Sequence, residues 1–295
     1  MSYKKRNTEK VLPVLIVVIV TIVYLLTQCH SKYENNAQTQ TQIADGECEI
    51  TMIDVGQGDS FLVTTPEGNL LFDAGPNKSE NTLKSFLDEK GITSFEYLIL
   101  SHPDEDHIGG GDMIMKNFDV KNVLMPDVQN NSQTFENVLN AILNSDADFE
   151  TVKAGYKFSV GKFSCEVLSP MEDYYSDTNR YSIVVKATYD GFSILFTGDA
   201  DTSIEKDLIS KYGSKLSCDV LKCGHHGSKT ATSEEFLKLT DPTIALISVG
   251  AGNSYGHPSD ETLELLEKYN ILTERTDTMG SVTIATDGQT YWLKK

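Results

Sequence analysis

The side chains best suited to metal chemistry in this 295-residue chain are concentrated in one six-residue stretch. His102, Asp104, Asp106 and His107 form the pattern H-x-D-x-D-H. Imidazole and carboxylate together are the usual ligands of Zn, Mn or Fe rather than of Ca. The alternative is a solvated acidic turn with two incidental histidines, because motifs of this length also occur by chance. The stretch predicts a metal site if further ligands are found elsewhere in the chain.

Further candidate ligands follow in the second half of the chain. One apolar run ends in Gly198-Asp199, a second ends in His225 and His226, and His257 lies in the sequence Asn-Ser-Tyr-Gly-His-Pro. Five of the six histidines therefore lie in three short motifs, whereas a lone histidine is more often a core or surface group. Such a constellation predicts a metal centre, and we expect it to hold one or two divalent ions, Zn or Mn.

Each motif directly follows an apolar run that is typical of a buried strand. Tyr97–Leu100 precedes the first motif, and glycines 109–111 after it are expected to let the chain turn tightly. Strand patterns occur at Cys48–Asp54, Ser60–Thr65, Asn69–Asp73, Tyr97–Leu100, Val120–Met125, Lys162–Leu168, Ser182–Tyr189, Phe192–Phe196 and from Asp219. Helix patterns occur at Asn81–Lys90, Thr134–Asn144, Ser203–Lys211, Ser233–Leu239 and Ser259–Lys268. Strands interleaved with helices predict a layered α/β architecture.

With these motifs in this order, the chain resembles the metallo-β-lactamase-fold hydrolases. It is most similar to the C-terminal hydrolase domain of ComEC-type competence DNA-uptake proteins. The resemblance extends from about Cys48 to the C-terminus, and it rests on segments 54–60, 70–75, 101–110, 195–199, 221–228, 256–258 and 275–277. It implies a four-layer αβ/βα metallo-β-lactamase sandwich with the site at the edge of the sheets.

The resemblance also implies roles for individual residues. The implied metal ligands are His102, Asp104, Asp106, His107, Asp199 and His225. His102 and Asp104 would bind one ion, Asp106 and His107 the other, and Asp199 would bridge the two. The sequence does not distinguish His225 from His226 as the last ligand of the second ion. Catalytic roles are expected of Asp106, His226 and His257.

Three further residues have implied supporting positions. Asp73 would orient the ligand loop without binding metal itself. Gln57 and Asp59 would lie near the mouth of the site. The glycines of the same loop could cradle a phosphate, but a loop of this kind more often simply turns between strands.

One departure from the family pattern concerns the first ion. Most relatives carry a metal-binding histidine between the second motif and the Gly-Asp pair, whereas the corresponding segment here, Asn179–Val185, contains none. Asn179 and Ser182 are the polar groups available in its place. ComEC-type relatives share an Asn- and Ser-containing stretch here, so the departure does not argue for an inactive enzyme. We expect the first ion to be held more weakly than the second.

The N-terminus predicts a membrane anchor. Residues 1–10 form a basic flank, and residues 11–27 form an apolar segment that we interpret as one N-terminal transmembrane helix. The basic flank predicts that the N-terminus stays inside and that the hydrolase domain is extracellular. Residues 28–46 read as a flexible polar linker, and 47–295 as the hydrolase domain. A cleaved signal peptide or a lipoprotein anchor is the alternative.

Charge and cysteine content bound the function further. The chain carries a net charge of −18, and residues 1–33 hold five basic residues and one acidic residue, so the rest carries −22. Such a surface repels nucleic acid, unless metal ions and local cations dominate at the cleft. The candidate cations are Lys222, Lys229, Arg180 and Arg275. The cysteines at 48, 165, 218 and 223 are even in number and the expected compartment is oxidising, so a disulfide is the alternative. They lie in apolar patterns, which favours buried, free thiols.

The leading function is therefore metal-dependent hydrolysis, with DNA or another phosphodiester as the substrate. A surface metallo-β-lactamase or a thioesterase is an alternative, because one attacking hydroxide serves all three reactions and a fold does not choose among substrates. A non-catalytic binding module that contains metal is the third hypothesis. No protein partner is evident from the sequence.

Overall fold

The structure is a computed structural model that describes residues 47–294 of the chain. The expected transmembrane helix, its basic flank and nearly all of the polar linker lie outside the described residues. Within 47–294, no helix combines the length and apolar character needed to cross a membrane. Apart from 89–92, the described residues belong to one compact unit.

Strands and helices alternate along this unit. The strands are β1 (Cys48–Met52), β2 (Phe61–Thr65), β3 (Gly68–Phe72), β4 (Ser94–Ile99), β5 (Asp119–Met125), β6 (Asp148–Thr151), β7 (Lys157–Val160), β8 (Phe163–Ser169), β9 (Val184–Tyr189), β10 (Phe192–Phe196), β11 (Val220–Lys222), β12 (Ile244–Ile247), β13 (Leu272–Arg275), β14 (Val282–Thr286) and β15 (Tyr291–Lys294). The helices are α1 (Glu80–Glu89), α2 (Glu105–Ile108), α3 (Gly111–Asn117), α4 (Gln133–Leu143), α5 (Thr202–Tyr212), α6 (Glu234–Thr240), α7 (Asp260–Lys268) and α8 (Thr276–Met279).

The strands form two sheets of similar design. The first has eight strands in the order β15-β14-β1-β2-β3-β4-β5-β6, and the second has seven in the order β13-β12-β11-β10-β9-β8-β7. Strands β3 to β6 are mutually parallel, as are β10 to β13, and the remaining neighbours are antiparallel. The carboxyl ends of parallel strands share one edge of a sheet, which is where α/β proteins place their ligands.

The two sheets pack face to face through a shared apolar core. Phe72 of the first sheet stacks on Phe196 of the second with ring centroids 5.0 Å apart, and Phe61 meets Phe196 edge-on at 5.6 Å. On the outer face of the second sheet, Leu195 and Leu221 pack with Phe236 of α6 in a separate buried cluster. Helices therefore cover sheets that pack on each other, and the expected two-sheet α/β fold is confirmed.

Within 47–294, every strand and helix expected from the patterns is present, with boundaries within a few residues. The pattern missed the short or exposed strands, such as β6, whose residues are mostly exposed, and β12, which has four residues that are all buried. Runs this short show no clear period. The four cysteines of the described residues are free and buried, as expected.

The glycines after the first motif allow the expected turn and also a close approach to other loops. Gly109 and Gly110 form a turn between α2 and α3. A Cβ at Gly110 would lie 2.4 Å from the carbonyl oxygen of Ala74, and one at Gly58 would lie 2.3 Å from that of Asp106. These glycines allow the motif to pack directly against neighbouring loops.

Candidate metal centre

The predicted ligand motifs converge at the carboxyl ends of four parallel strands. Asp73 follows β3, His102 follows β4, Asp199 follows β10, and His225 and His226 follow β11. The first two strands belong to one sheet and the last two to the other. The site therefore forms where the edges of both sheets meet, and each sheet supplies part of it.

Asp199 lies between the two halves of the site. Its Oδ1 is 3.2 Å from Nε2 of His107, and its Oδ2 is 3.6 Å from Nε2 of His226. Both histidines and Asp199 are buried. Four groups of three residues have ligand atoms that all lie within 4.8 Å of one another. These groups are His102–His107–Asp199, Asp106–His107–His226, Asp59–Asp199–His226 and Asp59–Asp73–His107.

His107 is oriented from behind by Asp73. Nδ1 of His107 lies 2.8 Å from Oδ2 of Asp73, whose two oxygens also accept hydrogen bonds from the backbone N–H and the hydroxyl of Ser101, both at 2.7 Å. Because Nδ1 is occupied in this way, Nε2 is the nitrogen that faces Asp199 and is available to a metal ion. Asp73 thus has the orienting position that the sequence predicted.

His102 is present as a neutral ring. Two causes lower the pKa of His102 to about 3: burial, which is the larger, and the nearby His107. Its Nδ1 lies 3.0 Å from the Ser101 hydroxyl, while its buried Nε2 has no hydrogen-bond partner among the described residues. A neutral imidazole with a buried, unpaired nitrogen suits a metal ligand, because leaving such a group unpaired is otherwise costly.

Asp104 and Ser182 lie beside His102. Oδ2 of Asp104 is 3.8 Å from Nε2 of His102, and the Asp104 side chain is partly exposed. Asp104 precedes α2 but makes no capping hydrogen bond with its side chain, and its carboxylate accepts a hydrogen bond from Thr178 instead. The Ser182 hydroxyl accepts a hydrogen bond of 3.0 Å from the backbone N–H of Asp199. Ser182 therefore supports the Asp199 loop.

His226, rather than His225, joins the groups of three ligands. Nε2 of His226 lies 3.2 Å from Oδ2 of Asp106, and its Nδ1 lies 2.9 Å from the carbonyl oxygen of Ser248. His225 is partly exposed, with Nε2 3.5 Å from Oδ2 of Asp199. Both residues have a left-handed backbone, with φ of 48° and 53°. Two such residues in succession are strained, a feature that clusters at functional sites. The geometry favours His226 over His225 as the ligand, a choice that the sequence left open.

Asp59 lies beneath the site, fully buried, and not at its mouth as the sequence had suggested. Its Oδ2 is 2.5 Å from Nζ of Lys222, and its Oδ1 is 3.2 Å from Nδ1 of His226. Lys222 is equally buried and donates a hydrogen bond to the carbonyl oxygen of Gly198. Burial would lower the pKa of Lys222, but Asp59 and Asp199 raise it, so the amine is charged. Sequence patterns gave no signal for this pair.

His257 stands at the open side of the site. Its ring centroid is 5.5 Å from that of His225 and 6.4 Å from that of His226. Its Nδ1 is buried without a hydrogen-bond partner among the described residues, and its pKa is lowered by burial and then by His225 and His226. Tyr255 stacks on the opposite side of this ring at 5.8 Å. The structure thus places all the predicted histidines of 47–294 in one region.

The cations expected at the cleft lie elsewhere. Lys222 is buried beneath the centre, Nε of Arg180 is 2.9 Å from Asp201, and Arg275 is paired with Asp277. Lys229 is exposed and does not line the cleft beside the motif. That cleft, of about 530 Å³, is lined by Asp104, Glu105, Asp106, Lys78, Gln57, Pro76, Pro103, Asn130, Ser132, Asn253, Ser254 and Tyr255. Three acidic residues and one lysine line it, so protein cations do not dominate at this cleft and only bound metal ions could offset its negative charge.

The family model described as "Metallo-beta-lactamase superfamily" matches residues 53–251, which include all the strand-end motifs up to β12. The chain belongs to the metallo-β-lactamase superfamily. The prediction of an enzyme of this superfamily is therefore confirmed, and the centre described above lies where its first four ligand motifs meet.

Curated competence proteins are similar in sequence to this member of the superfamily. "ComE operon protein 3" of Bacillus subtilis (strain 168) is 35% identical over 254 residues, which cover 80% of this chain and 33% of that protein. "Competence protein ComA" of Neisseria gonorrhoeae is 32% identical over 244 residues, with 81% and 32% covered. The chain thus spans about one third of the length of these curated relatives. The expected resemblance to competence proteins is confirmed.

A solved structure agrees in fold. The metallo-beta-lactamase fold protein YhfI from Bacillus subtilis matches with a TM-score of 0.58 and 12% identity, covering 81% of this chain and 100% of that one. At this identity the likeness concerns the fold alone.

Metal binding to this centre should release about two protons per protein molecule at pH 7.5. Burial alone would lower the pKa of His107, but Asp199, Asp73 and Asp106 raise it well above its usual value. Burial is likewise outweighed at His226, whose pKa is raised to about 10 by Asp199 and Asp59. Both rings therefore carry a second proton at pH 7.5 until a metal ion displaces it, and metal affinity should fall as the pH falls. Calorimetry in buffers with different ionisation enthalpies counts the released protons.

The control for this count is His226→Gln, which should reduce the release to about one proton because one titrating ring is lost. If the unaltered protein binds metal with no release of protons at pH 7.5, these two histidines are not the groups that the metal ion engages.

Proposed function

We propose that this protein is a metal-dependent hydrolase that cleaves phosphodiesters, with DNA as the leading substrate. The observation that carries the proposal is the position of Asp199, whose two oxygens face His107 on one side and His226 on the other. Two groups of ligands that share one carboxylate suit a pair of divalent ions, an arrangement found in enzymes that displace phosphate esters in line.

The residues divide into two ligand groups around Asp199. We assign His102, Asp104 and Asp199 to one ion, and Asp106, His107, His226 and Asp199 to the other. Bound metal would supply a water of lowered pKa, and hence hydroxide near neutral pH. Asp73 holds His107 in its orientation, and the buried Lys222 and Asp59 support Asp199 and His226 from beneath.

His225 and His257 are left for the substrate. They lie beside the ligand groups, at the partly exposed side of the centre. Rings in this position can donate hydrogen bonds to non-bridging or leaving oxygens, where negative charge develops in the transition state. We assign His257 the catalytic role expected from the sequence. Because His226 is assigned as a metal ligand, we assign the catalytic role expected of His226 to His225.

The choice of a phosphodiester rests on the competence relatives and on the ligand set. Proteins described as competence proteins cover most of this chain at 32–35% identity. In contrast, a β-lactamase reading has to accommodate Asp104 and a segment 179–185 without histidine. Turnover with Mn²⁺ and Zn²⁺ should be measured on single-stranded DNA, bis-p-nitrophenyl phosphate, a chromogenic lactam and a thioester. Turnover of the lactam or thioester alone would favour the alternatives, and bound metal without any turnover would favour a binding module.

Added Mn²⁺ should support faster phosphodiester hydrolysis than added Zn²⁺. The group around His102 offers one imidazole and two carboxylates, and the neighbouring Ser182 is engaged by Asp199. Oxygen-rich ligand sets favour Mn over Zn. Titration of the metal-free protein by calorimetry should accordingly resolve one tighter and one weaker site. Two equally tight Zn²⁺ sites with maximal activity in Zn²⁺ would contradict this assignment.

We also propose that the protein is anchored in the cell membrane with its hydrolase domain outside. The support is the sequence: a basic flank at residues 1–10 precedes the apolar segment 11–27. Fractionation should leave the full-length protein in the membrane, and protease added to intact cells should cleave it. Recovery of the protein wholly from the cytosol or wholly from the medium would refute the anchor.

A further inference from the structure

The acidic cleft beside the metal centre raises a physical question about substrate affinity. Asp104, Glu105 and Asp106 line it, and among its described lining residues Lys78 is the one cation. Phosphates away from the metal ions are repelled by such a surface, and the protein lacks the basic footprint that usually provides affinity for nucleic acid. Affinity for a strand must therefore come from uncharged contacts.

Tyr255 offers such a contact at the right place. It lines the cleft and is 70% exposed, although it is a large aromatic residue. One face of its ring stacks on His257, with centroids 5.8 Å apart and planes 26° apart. The exposed remainder of the ring borders the cleft, and His257 lies between it and the rings of the ligand His226 and of His225.

The position of Tyr255 is fixed by its loop. The Asn253 side chain donates hydrogen bonds to the carbonyl oxygens of Gly250 and His257, and it accepts from the backbone N–H groups of Tyr255 and His257. Four hydrogen bonds from one amide hold the loop closed around His257. An aromatic ring held in advance loses little freedom on binding, which favours its use in recognition.

We infer that Tyr255 forms a nucleobase subsite, on which an unpaired base next to the scissile phosphodiester stacks. Bases of every type have a π face, so a stacking platform accepts single strands with little sequence preference. Paired bases inside a duplex do not present that face, so the subsite selects single-stranded nucleic acid. This inference rests on the proposed phosphodiesterase function and names the substrate that the cleft accepts.

The test uses a short single-stranded DNA that carries 2-aminopurine, whose fluorescence is quenched by stacking, with the full-length protein in the absence and presence of Mn²⁺. Tyr255→Ala should weaken binding by about 10-fold and abolish the quenching, while Tyr255→Phe should stay within about twofold of the unaltered protein. A strand with an abasic site in place of 2-aminopurine should be bound equally by all variants. Tyr174→Ala is the matched control, because Tyr174 is 78% exposed but does not line the cleft.

The outcomes separate this inference from the proposed function. Unchanged quenching in Tyr255→Ala, or no binding of the strand by the unaltered protein, would overturn the subsite even if bis-p-nitrophenyl phosphate is hydrolysed. Loss of quenching in Tyr255→Ala without hydrolysis of any phosphodiester would support the subsite and refute the proposed function. An RNA strand of the same sequence shows whether the subsite accepts both sugars.

Discussion

Replacing Asp199 with alanine should remove metal from the protein and lower kcat/KM for phosphodiester hydrolysis by more than about 100-fold. That figure is the upper end of what the loss of a residue outside the ligand set costs in metal affinity or activity. Asp199 is expected to cost more because both ligand groups share it, through contacts with His107 at 3.2 Å and with His226 at 3.6 Å. Metal content after dialysis, measured by elemental analysis, and steady-state kinetics are the readouts.

Two further variants make the Asp199 result interpretable. Asp199→Asn keeps the shape of the side chain and should keep the fold, yet it should also lose metal because the charge is gone. Asp201→Asn is the control from the same loop: Oδ1 of Asp201 accepts hydrogen bonds from the N–H groups of Ser203 and Ile204 at the start of α5, a cap that asparagine retains. Full metal content and turnover in Asp199→Ala would show that the bridging role is misassigned.

Lys222→Met should destabilise the metal-free protein by about 3–5 kcal/mol, the usual cost of removing one partner from a buried ion pair. Nζ of Lys222 and Oδ2 of Asp59 are 2.5 Å apart, and both side chains are 1% exposed or less. Methionine matches the length of the lysine stem but leaves the buried Asp59 carboxylate without its nearest cation, with His226 at 3.2 Å as a remaining partner. The free energy of unfolding in urea, compared between the two proteins, measures the loss.

A surface pair serves as the control for Lys222. Nζ of Lys121 lies 2.7 Å from Glu96, but the two side chains are 60% and 32% exposed. Lys121→Met should therefore cost about 0–1 kcal/mol. The double variant Asp59→Asn with Lys222→Met should be more stable than Lys222→Met alone, because it removes the stranded charge. If Lys222→Met and Lys121→Met lower the free energy of unfolding equally, the buried pair of Lys222 and Asp59 does not contribute to stability as proposed.

The effect of Lys222→Met should also depend on pH. Burial alone would raise the pKa of Asp59, but Lys222 and His226 lower it below its usual 3.8. A carboxyl whose pKa is lowered on folding stabilises the protein above its unfolded pKa, and this stabilisation is lost as the pH falls through the lowered value. In Lys222→Met the same carboxyl lacks its nearest cation, so its pKa rises and the variant regains stability as this group is protonated. The difference between the two proteins should thus be largest near neutral pH and should shrink as the pH falls.

The sequence by itself determined most of the fold and the identity of the metal-centre motifs. Apolar runs such as Tyr97–Leu100 in β4 and Phe192–Phe196 in β10 have a local pattern that does not depend on the rest of the chain, so these strands were predicted. The motif from His102 to His107 was equally visible, because its ligands are neighbours in sequence. Asp199 was found from the Gly-Asp pair at the end of β10 for the same reason.

Tertiary structure decided what lies behind and beside the ligands. Asp59 and Lys222 are 163 residues apart in the chain, and only the packing of one sheet against the other brings their charges to 2.5 Å. The choice between His225 and His226 depends on two successive left-handed residues, whose dihedral angles are imposed by the surrounding loops and not by local propensity. Tyr255 stacks on His257 within its own loop, but only the fold brings this loop to the cleft that Asp104 and Asp106 line.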